Sequence, residues 1–205
     1  MNERSAELRR DAITPEDWQD QMAALVARLD LDEVVAALDL SGLRATLELP
    51  DDRARVRVLS FPELRQALLD AGVRVRLFGL RPGRAIVPHG HHDMVSMHWV
   101  LAGGLHARHY DRITQTREHM VLRPTIDRVL RPGMATTVSD ERDNVHWFVA
   151  VDGPAYSLGV TVSQLHGEGP HGRVYIDPRA ADREGDRLRA PILSPSEARR
   201  RYGRG

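Results

Sequence analysis

Residues 89–111 read HGHHDMVSMHWVLAGGLHARHYD, and six of the ten histidines of the chain fall inside this stretch. Side chains along an extended strand alternate between its two faces. His89 and His91 can therefore point at a common ion, and Ser96 and His98 share a face further along. His92 has the opposite parity and reads as a solvated loop residue. His106 and His109 differ in parity, so at least one of them faces away from any interior. Cysteine is absent, which removes disulfides, thiolate zinc sites, iron–sulfur clusters and a cysteine nucleophile. A metal held here is held by imidazole.

The spacing around the stretch is specific. Five residues separate Gly83 from His89, four separate His91 from Ser96, and six separate Ser96 from Gly103. Downstream, His146 follows Gly133 and a run of strand-forming residues. This arrangement resembles the first motif of the cupin superfamily. The resemblance implies an all-β fold, the double-stranded β-helix or jelly-roll barrel, with His89, His91 and His146 as metal ligands. Ser96 stands where that superfamily normally has glutamate. Serine is a poor ligand, so the implied set is three neutral imidazoles.

That departure points to a narrower group. His89, His91, Met94, Val100, Leu101, Gly103, Leu105, His106, Arg108, Tyr110 and Asp111 resemble the metal-binding segment of the thiol dioxygenases related to plant cysteine oxidases and 2-aminoethanethiol dioxygenase. Asn144, His146, Phe148 and Ala150 resemble their second segment. The likeness covers roughly residues 73–163. It implies a mononuclear non-haem Fe(II) oxygenase acting with O2 on a small anionic or thiol-containing substrate, with Arg108 and Tyr110 as candidate catalytic residues; strand parity with Ser96 adds His98 to the catalytic candidates, as a pocket histidine or a fourth ligand. A neutral ligand set keeps the full divalent charge, which favours an anionic donor at the open positions. The chain departs from the group at Leu158, where an aspartate is usual, and at Val162-Ser163-Gln164, where a Pro-Pro-Tyr segment is usual. Imidazole also suits Zn(II) and Ni(II). A redox-neutral lyase, isomerase or condensing enzyme, or a non-enzymatic ligand-binding module, is the alternative on the same fold.

Outward from the motif, the chain divides into a helical extension (1–45), a barrel (46–176) and an Arg-rich tail with a short helix (177–205). Residues 1–12 are polar and read as frayed. Thr14-Pro15-Glu16-Asp17 is a helix start, followed by Trp18, Met22, Leu25, Val26 and Leu29 at helical spacing. A second helical pattern runs through Leu31, Val34, Val35 and Leu38, and Ser41-Gly42 is expected to end it. Each pattern has one apolar face, which needs a partner surface: the outside of the barrel or a second subunit in a homodimer. Val56 and Val58, then Val73, Val75 and Leu77, alternate with arginines as strands do. Glycine-rich turn signals recur to about residue 163. Within 178–205 eight arginines face four acids, and the tail is expected to be a solvated arm. His119, His166 and His171 are expected to be solvated.

The 205 residues carry 29 cations, all arginine, against 29 acids. Zero net charge speaks against a dedicated nucleic-acid binder. No run approaches the ~20 apolar residues of a membrane span, and MNERSAELRRDA is unlike a signal peptide. The expectation is a cytoplasmic protein with small-molecule partners.

Overall fold

The helical extension begins where its cap residues require. The structure, a computed structural model, describes residues 12–166 and 172–204, with Ser5, Glu7, Leu8 and Arg10 ahead of them. Most of residues 1–12, and His171, lie outside the described residues; of those described, Ser5 and Leu8 are buried, so the expectation of a frayed start does not hold there. Helix α1 spans Pro15–Val26. The Thr14 hydroxyl accepts from the Asp17 N–H at 3.0 Å, and the Asp17 carboxylate accepts from the Thr14 N–H at 3.1 Å. This reciprocal cap satisfies two groups that a helix start leaves open. Helix α2 spans Leu31–Ala37. Ser41-Gly42 does not end the helical segment, because a third helix, α3 (Leu40–Thr46), runs through it. Asp39 adopts φ 45° and caps α3 by accepting the Gly42 N–H at 3.1 Å. A Cβ on Gly42 would lie 2.1 Å from an Asp39 carboxylate oxygen. That glycine serves a helix start rather than a stop.

Edge strand β1 (Arg55–Val58) and a short helix α4 (Arg65–Asp70) lead into the barrel. Its strands are β2 (Val73–Leu80), β3 (Ala85–Gly90), β4 (Met94–Gln115), β5 (His119–Leu130), β6 (Ala135–Val138), β7 (Val145–Ser163) and β8 (Val174–Ile176). After them come β9 (Asp182–Glu184), β10 (Arg187–Leu193) and helix α5 (Pro195–Tyr202). Strands neighbour one another in the order β1-β2-β7-β3-β8-β10-β5-β4-β6, and β7 also pairs with β4, which closes the ring. This is the all-β jelly-roll barrel with an N-terminal helical extension that the sequence implied.

The two longest strands bend at the same height. Gly103 of β4 has φ 74°, and a Cβ there would lie 2.3 Å from the Pro154 carbonyl oxygen. Strand β7 turns opposite it at Asp152 and Gly153, with φ 57° and 131°. Both glycine signals are therefore bends inside strands, not strand ends. The register of β4 on β7 shifts between Val100 and Gly104, and the shift changes which parity faces inward. Ser96, His98 and Val100 face the interior before it; Leu105, Ala107 and His109 face the interior after it.

Two apolar layers result. Phe78, Leu80, Val100, Leu105, Leu130 and Phe148 fill one end of the barrel. Outside it, Trp18, Met22 and Val26 of α1 pack with Leu40 on Val75, Leu77, Met97, Trp99 and Val160. The extension thus covers the outer face of the barrel. Full burial of side chains such as Trp18 and Met22 stabilises by roughly 1.5–3 kcal/mol each.

The tail is not a solvated arm, and the barrel does not stop at residue 176. Strand β10 inserts between β5 and β8, and α5 packs Ala198 and Tyr202 against Ala85, Trp147 and Val149. Arg187 and Arg189 alternate with Leu188 and Ala190. Their charge conceals a strand whose other face is apolar. Among the described residues no helix is long and apolar enough to cross a membrane.

Candidate metal centre and its pocket

His89 lies at the end of β3, His91 in the turn that follows, and His146 at the start of β7. The β3–β7 register sets His89 directly opposite His146. The three rings offer nitrogens that all lie within 4.8 Å of one another, and all three residues are buried. Ring centroids are 4.5 Å apart for His89–His91, 4.4 Å for His89–His146 and 5.2 Å for His91–His146.

The tautomer of His89 follows from its partner. Its Nδ1 lies 2.7 Å from the Val87 carbonyl oxygen, which can only accept, so Nδ1 carries the proton. The Nε2 lone pair is then free, buried and without a protein partner. Buried polar atoms are rarely left so, and a metal-facing nitrogen is what this pattern describes. Residues present therefore fit a divalent ion held by neutral imidazoles.

Burial keeps these rings neutral. It lowers His89 and His146 well below 6.5, and the neighbouring histidines add to the effect. His91 is pushed down to about 3 by burial, then by Arg173 and His98. His98 falls to about 4 by burial, Arg173 and Arg76. His109 falls to about 3 by burial and His98.

The turn carrying His91 is braced from behind. The Asn144 side-chain N–H donates to the His91 carbonyl at 2.9 Å and to the Ser139 carbonyl at 3.1 Å. A Cβ on Gly90 would lie 2.7 Å from the Asn144 side-chain oxygen, so the glycine between the paired histidines makes room for that brace. The Asp140 carboxylate accepts the Asp93 N–H at 2.5 Å. The 140–143 run thus supports the turn and does not line the pocket.

Of the other expected residues, His98 lies inside but apart from the ligand group. Its ring is 5.7 Å from that of His146, and its Nδ1 is 3.4 Å from the Ser157 hydroxyl. Ser96 donates to the Val160 carbonyl at 3.1 Å and lines the pocket. His92 sits at the pocket edge beside Arg112. His106 faces out and pairs with Asp127.

Arg108 and Tyr110 are not at this site. The guanidinium of Arg108 lies over the Trp147 ring, 4.4 Å from its centroid. Tyr110 packs with Met120, Leu122, Val145 and Ile176. The bulge near Gly103 turns both outward and turns His109 inward, 6.1 Å from the His146 ring. Leu158 faces the outer apolar layer, and Ser157 takes the inward place beside His98.

The pocket measures about 330 Å³. Besides the histidines, it is lined by Arg74, Arg76, Arg173, Phe78, Thr161 and Gln164. Sequence reading did not single out these arginines. Alternation with Val73, Val75 and Leu77 places Arg74 and Arg76 on the polar side of a half-buried strand without telling that this side faces a pocket.

Among solved structures, the fold is similar to recombinant oxalate oxidase in complex with glycolate, at 20% identity and TM-score 0.45, over 63% of this chain and 58% of that chain. It is also similar to the 11S globulin of Wrightia tinctoria, at 13% identity and TM-score 0.45, over 62% of this chain and 28% of the globulin. Pumpkin seed globulin is similar at 12% identity and TM-score 0.45, over 63% and 30%. This chain spans less than two thirds of the length of each. Likeness at this level carries nothing about chemistry, and none of the three is a thiol dioxygenase. No family model and no curated protein matches the sequence.

Proposed function

We propose that the chain is a cupin metalloprotein: a mononuclear non-haem oxygenase of the thiol-dioxygenase type, using Fe(II) and O2 on a small anionic or thiol-containing substrate. The observation that carries this reading is the convergence of three buried, neutral imidazoles on one point of an open pocket, with no carboxylate in the group. His89, His91 and His146 would hold the ion. Bound there, Fe(II) supplies oxygen chemistry and a full divalent charge to which an anionic donor is drawn.

The residues of this chain supply orientation and exclusion of water. Val87 fixes the His89 ring through its carbonyl, and Asn144 fixes the His91 turn. Phe78 and Phe148 flank His98 at ring distances of 4.8 Å and 4.9 Å and keep the floor of the pocket apolar. Uncharged rings alone favour the neutral form of an acidic donor, so the charge favouring its anion would be that of the ion they hold.

The test is metal analysis of protein purified without oxygen, followed by oxygen uptake with a panel of small thiols. Stoichiometric iron and thiol-dependent uptake are expected. Alanine at His89, His91 or His146 should remove most metal and leave the barrel folded by circular dichroism. Stoichiometric metal in His146→Ala would refute the ligand set. Full metal with no oxygen uptake would refute the oxygenase and favour the redox-neutral alternative.

A further inference from the structure

Three strands align their inward residues in rows across the pocket wall. Register places Arg74 beside Thr161 and Thr161 beside Ser96. One pleat deeper it places Arg76 beside Gly159 and Gly159 beside His98. The middle of that row has no side chain. A Cβ on Gly159 would lie 2.5 Å from the Phe78 ring, so the glycine lets that ring pack on the wall between Arg76 and His98. Two strands apart means roughly 10 Å between their backbones. Arg173, just before β8, reaches the same pocket.

These three arginines share one pocket, and none of them is tied to a carboxylate there. Arg81, Arg123, Arg131, Arg142 and Arg201 each hold a carboxylate. Strand pairing of the backbone aside, no ion pair or hydrogen bond among the described residues engages the side chain of Arg74, Arg76 or Arg173. The carboxylate that lines the pocket, Asp93, accepts instead from the His166 N–H at 2.8 Å. Like charges crowd here: Arg76 is held below its ordinary range by burial, then by Arg74 and Arg173. Arg76 is half-buried and Arg74 and Arg173 are exposed, so water screens part of this repulsion, and an anion from solution relieves the rest.

We propose that Arg76 and Arg173, with Arg74 at the rim, bind an oxyanion, a carboxylate or a phosphate, at the end of the substrate remote from the histidine centre. The guanidinium fork matches both groups in geometry. The ligand is a small molecule with two ends: an acidic donor for the metal and an oxyanion for the arginines. This assignment rests on the histidine centre being the reacting end, but the anion site can be tested without it.

Calorimetric titration of chelator-treated protein separates the two. Succinate should bind saturably, and its neutral diamide at least about tenfold more weakly. Arg76→Gln and Arg173→Gln should each weaken succinate by about tenfold or more, whereas Arg123→Gln, on the outer surface, should not. His146→Ala should keep succinate binding while losing metal. Inorganic phosphate is the second arm: tighter binding than succinate, with the same arginine dependence, assigns a phosphate to the remote end; weaker binding assigns a carboxylate. Equal binding of succinate and diamide, no saturation of either anion by on the order of 10 mM, or affinity unchanged in both arginine variants would overturn the proposal. Intact succinate binding in unsubstituted protein that neither holds metal when purified without oxygen nor takes up added Fe(II) would sink the histidine reading alone.

Discussion

One three-strand layer, β2-β7-β4, presents two faces that obey different rules. Its outer face carries Val73, Val75, Leu77, Met97, Trp99 and Val160 under the helices. Its inner face carries Arg74, Arg76, Ser96, His98 and Thr161. The alternation along each strand is the same on both faces, and only the destination of the polar side differs. In an ordinary half-buried strand the polar side meets water. Here it lines a pocket whose far side holds buried nitrogens of His89 and His146 without protein partners. Unpaired buried polar atoms cost roughly 1–3 kcal/mol each, so the pocket draws on stability that the outer face supplies.

The comparison breaks most visibly at Trp18, which is fully buried against the outer face. Trp18→Ala should cost about 3–5 kcal/mol in urea unfolding and leave the metal content of the folded protein unchanged. A loss under about 1 kcal/mol would mean that the helices do not brace the barrel.

Acid should expose the inner face instead. His89, His91, His98, His109 and His146 are all held below 6.5 in the folded protein, at about 3 for His91 and His109 and about 4 for His98. Their unfolded values are near ~6.5. Below that pH the unfolded chain binds protons that the native protein does not. Stability is therefore intact above about pH 6.5 and is lost progressively as pH falls toward 4, by up to about 1.4 kcal/mol per histidine per pH unit. Urea midpoints of chelator-treated protein at several pH values check this. The Trp18→Ala deficit should stay constant with pH while the total falls. Because the folded histidines stay neutral, metal should be released with unfolding rather than near pH 6.5. Release from a fully folded barrel at pH 6 would contradict the buried, neutral assignment.

The paired histidines, the later His146 and the barrel were legible because each depends on local spacing within a strand or between turn glycines. What escaped depends on geometry that counting does not carry. The bulge at Gly103 reverses parity midway along β4, so Arg108 and Tyr110 changed places with His109. The arginines of β2 alternate correctly, yet nothing in a single strand tells which polar faces turn inward. Strand β10 was hidden by arginines that point outward. In each case the local pattern was sound and the tertiary placement decided its meaning.

Ser96 and His98 sharpen the comparison within the inner face. Ser96→Glu places a carboxylate beside the centre. Iron occupancy should hold or rise, while thiol-dependent oxygen uptake falls, because the residual charge that attracts an anionic donor is reduced. His98→Ala should leave occupancy nearly intact and change substrate affinity, since its ring lies outside the converging group. Metal content and turnover measured on both variants decide. Loss of metal in His98→Ala would make the site a four-histidine one.

The smallest effect belongs to Tyr110, a residue that motif resemblance placed in the catalytic set. Its ring is buried at 6% exposure on the far side of the strand from the pocket. Burial pushes its hydroxyl up to about 12, so it stays a protonated, neutral phenol, and its place among Met120, Leu122 and Val145 keeps that proton away from the histidine centre. Tyr110→Phe keeps the ring that packs on Met120 and Leu122. Stability should therefore shift by no more than about 0.5 kcal/mol, with metal content and oxygen uptake unchanged. Arg108→Ala should cost about 1 kcal/mol or less through its lost contact with Trp147, again without change in turnover. A substantial fall in turnover for Tyr110→Phe at full metal occupancy would mean that the two faces of β4 are coupled and that parity does not separate packing from chemistry.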